Sequence, residues 1–359
     1  MNNELSSPLV QEIGEQGLLK ILQRFCPADI IGDDAAVIAT EPGKTLVVTT
    51  DVLVENIHFS ENTTSPEDVG WQAAAANLSD LAAMGAYPLG ITVGLGLPGN
   101  VCVGWVESLY RGITECLQSY NTPIVGGDVV RSPVVTVGIT AFGQADPHRI
   151  IRRNQAKIGD AIVITGVHGA SRAGLELLLH PEKAENLIEE ERTALIRAHQ
   201  RPKPRLDVLP ILWQILDSYS PTLPLSHSSP LPLPPSPTPP LLPIAGMDSS
   251  DGLADAVVQI CRTSNVGAVV ERTQIAFPKA FDKWLTKEQA LEYALYGGED
   301  FELVLCLPKE PADELVQQLG QGAAIVGEIT EGSTVILRDP DQEFPDQVLT
   351  LSQGFQHFG

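Results

Sequence analysis

Residues 31–59 read IGDDAAVIATEPGKTLVVTTDVLVENIHF, and this stretch decides the character of the first half of the chain. Asp34 opens the first of two apolar β-like runs, and Asp51 follows Thr49 and Thr50 in the second. Carboxylates and hydroxyls at strand edges, without cysteine or paired histidines nearby, are the hard oxygen ligands that Mg²⁺ prefers. The stretch predicts either a magnesium site or two acidic turns between strands, and by itself it leaves both interpretations open.

The length and charge of the chain limit its architecture and its partners. At 359 residues it is long enough for about two domains, and 43% hydrophobic residues suffice for a sizeable core. The formal net charge of −22 argues against nucleic acid or an anionic membrane as a partner, because both would repel the surface. Such a charge suits a protein that gathers divalent cations, although a merely soluble acidic surface fits it equally well.

The cysteines and the hydropathy indicate the compartment. Five cysteines are scattered through the chain and none forms a C-x-x-C pair, so we expect reduced thiols and neither a disulfide framework nor a zinc site. The first residues lack a basic region followed by an apolar core, and no run of about 18 apolar residues occurs. We therefore predict a cytoplasmic protein without a membrane partner.

Alternating strand and helix patterns predict an α/β or α+β domain over residues 1–148. Ser65 followed by Pro66 is typical of a helix start, and the alanine-rich helix that it opens places Asp80 beside small and apolar neighbours. A carboxylate on such a helix face needs a cation. Asp128 follows two glycines at the expected end of a strand, where the backbone can approach a phosphate closely.

A second α/β domain is predicted over residues 149–359. Within it, ten of the 23 residues at 221–243 are proline, which excludes a helix or a central strand and predicts an exposed insertion. The motif MDSSDG at 247–252 follows, with Asp248 at a strand end and Ser250 at a helix N-cap. Helix capping accounts for one aspartate of this motif but not for both.

Six aspartates share one property, because each is predicted at the end of an element or on a helix face beside small residues. They are Asp34, Asp51, Asp80, Asp128, Asp248 and Asp251. Carboxylates that converge without cations repel one another and raise one another's pKa values, so such a cluster requires several metal ions. Several Mg²⁺ ions beside glycine-rich backbone indicate polyphosphate chemistry, with ATP as the obvious co-substrate.

Six motifs, in order along nearly the whole chain, carry a resemblance to a known family. They are IGDDAAVI, TTDVLVENIHF, NLSDLAAMGA, GGDVVR, MDSSDGL and YGGEDFEL. Together they resemble the thiamine-monophosphate kinase family of the aminoimidazole ribonucleotide synthetase superfamily. The resemblance implies a ferredoxin-like N-terminal domain that forms a homodimer, a larger α/β C-terminal domain, and transfer of the γ-phosphate of ATP to thiamine monophosphate.

The resemblance also implies roles for individual residues. Mg²⁺ ligands would be Asp34, Thr49, Thr50, Asp51, Asp80, Asp128, Asp248 and Asp251. ATP contacts would be Tyr110, Gly127, Asp128, Arg153 and Ser250. Thiamine monophosphate would meet His58, Glu299 and Phe358. The residues expected to act in catalysis are Asp51, Asp128 and Arg153.

Simpler interpretations of some of these residues stay open. Tyr110 could pack within a helix, His58 could be a satisfied polar residue, and Phe358 could belong to a frayed tail. Arg153 matches the family in position, but Asn-Gln follows it at 154–155 where the family usually has Ser-Gly.

Two other functions fit parts of the pattern. Another ATP-using member of the superfamily, such as aminoimidazole ribonucleotide or selenophosphate synthetase, would share the aspartates. The latter needs a reactive cysteine or selenocysteine near its N-terminus, and Cys26 lies outside any such motif. A non-catalytic scaffold that binds partners through residues 221–243 is an alternative of another class, although a scaffold has no physical need for mutually repelling carboxylates.

Overall fold

A computed structural model describes residues 7–27, 35–219 and 243–351 of the chain. Two predicted site residues, Asp34 and Phe358, lie outside these ranges, as does nearly all of the proline-rich stretch. Within the described residues the chain forms two sheets with helices packed against them, as the α/β prediction requires.

The first sheet has four strands in the order β1-β4-β2-β3. Strand β4 pairs antiparallel with β1 and β2, and β2 pairs parallel with β3. The strands are β1 (Thr45–Val54), β2 (Tyr87–Leu97), β3 (Ile124–Arg131) and β4 (Thr136–Ala145). The helices that precede and connect them are α1 (Val10–Leu22), α2 (Pro66–Ala83) and α3 (Val103–Gln118). The two crossover helices, α2 and α3, pack against each other.

Helix α2 begins where the capping pattern predicts. Oγ of Ser65 accepts a hydrogen bond from the backbone N–H of Asp68 at 3.2 Å, and Pro66 occupies the first helical position. Most residues of the helix are buried, because one side packs on the first sheet and the other meets strand β6 of the second. Helix α2 is therefore shared by both halves of the molecule.

The second sheet has seven strands in the order β11-β10-β7-β9-β5-β8-β6. Its strands are β5 (Ala161–Ile164), β6 (Ala245–Asp248), β7 (Gly267–Glu271), β8 (Leu303–Leu307), β9 (Ala324–Thr330), β10 (Val335–Arg338) and β11 (Gln347–Val348). Its helices are α4 (Ala170–Leu179), α5 (Glu189–Gln200), α6 (Val208–Tyr219), α7 (Leu253–Ser264), α8 (Lys287–Tyr296) and α9 (Lys309–Leu319). The larger sheet confirms the larger C-terminal α/β unit.

Two local predictions were wrong. Ser250 is not the N-cap of α7, because the helix starts at Leu253 after Gly252, whose φ of 102° no capping serine adopts readily. The Ser250 hydroxyl donates to Asp248 instead. Asp128 does not end its strand either, since β3 continues to Arg131 in parallel register with β2.

Residues 199–205, here called the crossing segment, run from the end of α5 along the first domain. Nε1 of Trp71 donates to the carbonyl of Pro202 at 2.7 Å, and the Tyr120 hydroxyl donates to that of Pro204 at 3.0 Å. Proline carbonyls remain free to accept although proline lacks an N–H. Side chains of the first domain therefore hold the backbone of a segment from the second.

Arg201 in the crossing segment binds three acids of the first domain. Its guanidinium donates to Asp68 at 2.6 Å, to Glu115 at 2.8 Å and to Glu67 at 3.1 Å. The same group lies 5.4 Å from the ring centre of Trp71. A planar guanidinium that is held in this way fixes α2 and α3 against the end of α5.

None of the helices in the described ranges combines the length and apolar character needed to cross a bilayer.

Candidate active site

The first-domain half of the site is built by β1 and α2. Thr49 and Asp51 alternate with outward-facing residues and face α2, where Oγ1 of Thr49 donates a hydrogen bond to Oδ2 of Asp80. Burial and then the charge of Asp248 raise the pKa of Asp80 to about 7, although Thr49 and Arg153 act in the opposite direction. Burial also raises the pKa of Asp51. A bound cation would favour the charged form of both carboxyl groups.

The second-domain half is the end of β6. The Asp248 carboxylate is buried, and its Oδ2 accepts a hydrogen bond from Oγ of Ser79 at 2.7 Å. Its Oδ1 accepts from Oγ of Ser250 at 3.0 Å. Burial raises the pKa of Asp248, while both hydroxyls and Arg153 lower it. Since Ser79 and Asp80 are successive residues of α2, the helix joins the acidic groups of the two domains.

Strands β1 and β6 and helix α2 meet at one place, here called the corner, and Arg153 supplies a positive charge there. A cavity of about 260 Å³ is lined by Thr49, Asp80, Arg153 and Asp248, among others. Nη1 of Arg153 donates to Oε1 of Gln259 on α7 at 3.0 Å, which leaves the rest of its guanidinium beside the cavity. The structure therefore brings this predicted residue together with two predicted aspartates.

The chemistry of these donors fits Mg²⁺. The charges of Asp248 and Asp251 both raise the pKa of Asp51, which is the mutual repulsion that a cation would relieve. Among the described residues, no three His, Cys, Asp or Glu side chains lie close enough to hold a metal ion by themselves. Mg²⁺ usually keeps waters or phosphate oxygens in its coordination shell, so one or two carboxylates for each ion suffice.

A larger cavity of about 720 Å³ lies beside the edge strand β3 and is lined by Tyr110, Gly127 and Asp128, together with apolar residues of α1. A Cβ at Gly127 would come within 2.2 Å of the carbonyl oxygen of Val93, so only glycine fits there. The Tyr110 ring is buried and packs 5.4 Å from Phe25. Packing thus accounts for its ring, although the residue also lines the cavity.

Two predicted metal ligands lie on the other face of the first sheet. Oγ1 of Thr50 lies 2.8 Å from Oγ1 of Thr140 on β4, away from Asp51. Asp128 is exposed and lies opposite Gly94 of β2. The register of β2 with β4 places the Asp128 side chain on the same outer face as Thr50. The structure does not bring either side chain to the corner occupied by Asp51.

His58 follows β1 in a tight turn that contains Asn56 at φ 64°. Nδ1 of its ring accepts a hydrogen bond from the backbone N–H of Val54 at 3.0 Å. This bond defines the ring orientation and assigns the proton to Nε2 in the neutral form.

Glu299 lies in a loop whose backbone is held in unusual conformations. Gly298, Glu299 and Phe301 have φ values of 68°, 57° and 52°, which non-glycine residues rarely adopt outside functional loops. The backbone N–H of Glu299 donates to the carbonyl of Ser250 at 2.7 Å. Burial and then the charge of Asp251 raise its pKa to about 7. The loop therefore places Glu299 against the 248–251 motif.

Sequence reasoning missed the residues that support these groups. Ser79 precedes Asp80 in the NLSD motif, and Asp300 follows Glu299 in GGED. The Asp300 carboxylate accepts from the backbone N–H groups of Gly169 at 2.6 Å and Ser171 at 3.0 Å, at the start of α4. The sequence did contain a signal for both, because each lies directly beside a predicted site residue in the same motif.

Comparison with protein families identifies both parts of the chain. Residues 32–145 match the family described as AIR synthase related protein, N-terminal domain, and residues 243–339 match its C-terminal domain. The thiamine-monophosphate kinase of Synechococcus elongatus is 49% identical over 99% of both chains. That of Aquifex aeolicus is 30% identical over 97% of this chain and 99% of its own.

Solved structures agree with the sequence matches. The thiamine-monophosphate kinase of Stenotrophomonas maltophilia superimposes with a TM-score of 0.72 at 28% identity, covering 89% of this chain and 95% of that one. A structure described as AaThiL complexed with AMPPCP and TMP gives a TM-score of 0.68 at 28% identity, over 96% of this chain and all of that one. The hydrogenase maturation protein HypE, at 18% identity and a TM-score of 0.69, shares the fold.

Proposed function

The chain belongs to the thiamine-monophosphate kinase family of AIR synthase related proteins, and from this premise we propose that it transfers the γ-phosphoryl group of ATP to thiamine monophosphate. The products are thiamine diphosphate and ADP, so this would be the last step of thiamine diphosphate biosynthesis. The observation that carries the proposal is the meeting of Asp51, Asp80 and Asp248, from two domains, at one corner beside Arg153.

The larger cavity is assigned to ATP. Its wall of glycine backbone and apolar side chains suits a nucleotide, and Tyr110, Gly127 and Asp128 lie along it. Arg153 and Ser250 complete the proposed nucleotide contacts from the second domain. The ligands named for AaThiL support this assignment, since AMPPCP is an ATP analogue that resists hydrolysis.

Thiamine monophosphate is assigned to His58, Glu299 and Phe358. The thiazolium ring of thiamine carries a positive charge, and the Glu299 carboxylate would attract it. His58 would approach from the turn after β1. Phe358 enters the assignment through the family resemblance alone.

The proposed Mg²⁺ ligands are Asp34, Thr49, Thr50, Asp51, Asp80, Asp128, Asp248 and Asp251. For Thr50 we assign the main-chain oxygen, because its hydroxyl pairs with Thr140. When bound, Mg²⁺ neutralises phosphate charge and polarises the phosphoryl group.

The residues of the chain act mainly by positioning. The attacking phosphate has a second pKa of about 6, so it is already ionised at neutral pH and needs no general base. Arg153 would orient the two anions in line and offset charge on the transferring group. Asp51 and Asp128 are assigned to catalysis because they would hold the cations on which that charge balance depends.

A homodimer, a domain boundary near residue 148 and a cytoplasmic location complete the proposal. The outer face of the first sheet supports the homodimer, because Leu46, Val48 and Val52 of β1 are 47%, 51% and 47% exposed there. Contiguous apolar residues on one sheet face are typical of a protein interface.

The test is to incubate the purified protein with Mg²⁺, ATP and thiamine monophosphate, and to quantify thiamine diphosphate, ADP and free phosphate together. We expect thiamine diphosphate and ADP to form in equal amounts, with no free phosphate. Unphosphorylated thiamine serves as the control, because the mechanism requires an acceptor phosphate. ADP and free phosphate without thiamine diphosphate would contradict the proposed acceptor, and no turnover at all would contradict the kinase activity.

A further inference from the structure

The Glu299 side chain lies against a buried polar pair that the proposed chemistry does not use. Oε2 of Glu299 is 3.5 Å from Nδ1 of His199, the penultimate residue of α5. The same nitrogen lies 3.1 Å from Oγ of Ser171 on α4. Both His199 and Ser171 are buried, whereas the Glu299 side chain is 43% exposed. The carboxyl group of Glu299 thus contacts a buried polar group while its side chain stays partly exposed.

The backbone of the Glu299 loop is already fixed. The Glu299 N–H is bonded to Ser250, and the neighbouring Asp300 carboxylate is bonded to the N–H groups of Gly169 and Ser171. What the backbone does not determine is the orientation of the Glu299 side chain, whose three rotatable bonds carry appreciable entropy. A buried donor next to its carboxyl group supplies that restraint.

His199 is itself rigidly placed by the first domain. Its backbone carbonyl accepts a hydrogen bond from Nε2 of Gln72 on α2 at 2.8 Å. Burial and the nearby charge of Arg172 lower the pKa of His199 to about 4, so the ring is neutral. A neutral donor can orient a carboxylate and leave its negative charge in place, whereas an arginine at that position would cancel the charge.

We propose that His199 is a positioning residue that directs the Glu299 carboxylate toward the cationic heterocycle of the phosphorylated substrate. The inference rests on the proposed function, because it assigns a partner to one residue of the substrate site. It requires the tautomer that carries the proton on Nδ1, and this one N–H is shared between the Glu299 carboxylate and the Ser171 hydroxyl.

The test compares two replacements of His199 in the full-length enzyme. His199→Leu fills similar volume without a donor, whereas the Nδ2 amide of His199→Asn can take the place of Nδ1. We expect the Leu variant to raise KM for thiamine monophosphate about tenfold, the usual effect of losing a hydrogen bond to a charged group, with KM for ATP changed less than about twofold. The Asn variant should stay within about threefold of the unmodified enzyme.

Ser171→Ala provides a second measurement: because the Ser171 hydroxyl competes with Glu299 for the same N–H, KM for thiamine monophosphate should not rise. His180→Gln is the control, because His180 lies at the opposite end of α4 from Ser171, is 48% exposed and contacts Glu182. Thermal midpoints of all variants establish that each is folded.

Three outcomes would overturn the inference. One is an unchanged KM for thiamine monophosphate in folded His199→Leu. Another is an equal rise in KM for both substrates, and a third is the failure of Asn to restore what Leu loses, since a purely structural histidine behaves in these ways. A failure of the proposed function is recognised separately, because the unmodified enzyme would then form no thiamine diphosphate.

Discussion

The two faces of strand β1 differ in both polarity and exposure. The inner face carries Thr49 and Asp51, which meet Asp80 and the end of β6. The outer face carries Val48, Thr50 and Val52, of which the two valines are half exposed. Because side chains alternate with a period of two, one strand of ten residues serves two environments.

The inner face of β1 contributes to the proposed cation site, whereas its outer face is proposed to contact the second subunit. On the inner face Asp51 is half-buried beside other carboxyl groups, so a substitution there changes the cation site. On the outer face an apolar side chain contacts water, so a substitution changes what can cover it. Neighbouring residues in the sequence should therefore give unrelated effects when they are replaced, and the following experiments use that contrast.

Asp51→Asn should have the largest effect. Loss of a metal ligand costs several kcal/mol of transition-state stabilisation, so turnover should fall by at least about 10³-fold. The metal-free variant should be no less stable in a thermal melt than the unmodified protein, because a carboxyl group with a raised pKa is replaced by a neutral one. Asp128→Asn should also abolish turnover and leave the fold intact, because the Asp128 carboxylate lines the larger cavity proposed for ATP and would hold a cation there. Normal activity of either variant at ordinary Mg²⁺ would remove that residue from the site.

Val48→Lys on the outer face should disrupt the homodimer. Burying an unpaired ammonium group costs about 3 kcal/mol or more, which weakens self-association at least about 100-fold. Light scattering during size-exclusion chromatography measures the mass, and Val48→Thr is the milder control. If the unmodified protein is already a monomer at micromolar concentration, the outer face has another role and the homodimer proposal is wrong.

Thr49→Val and Thr50→Val are a matched pair on opposite faces. Removing the Thr49 hydroxyl leaves Asp80 without its hydrogen-bond donor and should reduce kcat about tenfold. The Thr50 hydroxyl pairs with Thr140, so its loss should change kcat less than about twofold. Steady-state rates of both variants under the same Mg²⁺ concentration decide the matter, and equal losses would mean that the outer hydroxyl also contributes to the site.

The smallest expected effect is on the pH dependence of stability, and it involves His168 in the segment between β5 and α4. His168 is buried, and its Nε2 lies 3.1 Å from Oγ of Ser249, beside Asp248. Burial lowers its pKa from 6.5 to about 4, so the unfolded chain binds the proton more tightly and stability falls as the pH drops below 6.5.

Removing this histidine should remove that part of the pH dependence. Between pH 7.5 and pH 5.5 the free energy of unfolding of His168→Asn should fall by about 1 kcal/mol less than that of the unmodified protein. Urea denaturation at both pH values measures the difference. An identical pH dependence in both proteins would show that His168 is already protonated in the fold or does not titrate separately.

Local patterns predicted much of the fold. The period of two in β1 and the capping sequence before α2 specify their elements through neighbouring residues alone. Helices α6 and α8 were not predicted. Pro210 in the first turn of α6 obscured that helix, whereas the local signal for α8 was present and missed, because Thr286 and Gln289 form a capping box at the start of Lys287–Tyr296.

The site was predictable as a set of residues but not as an arrangement. The hydrogen bond between Ser79 and Asp248 joins positions 169 residues apart, and no local pattern encodes such a pairing. The sequence also could not indicate which face of β1 or β3 would be covered. Asp128 and Thr50 were therefore grouped with residues from which the sheet separates them.

The succession of Ser79 and Asp80 on α2 fixes the rotation of this helix relative to both of its partners. Successive residues of a helix are rotated by about 100°, and that angle alone directs one side chain to Asp248 and the other to Thr49. A single codon inserted upstream in the helix would turn both groups away from their partners together. The chain carries a proline-rich tract of more than twenty residues at 221–243, whereas one residue added within α2 would break the contacts of Ser79 and Asp80 together. The length of this helix is thus constrained by the angle between successive side chains.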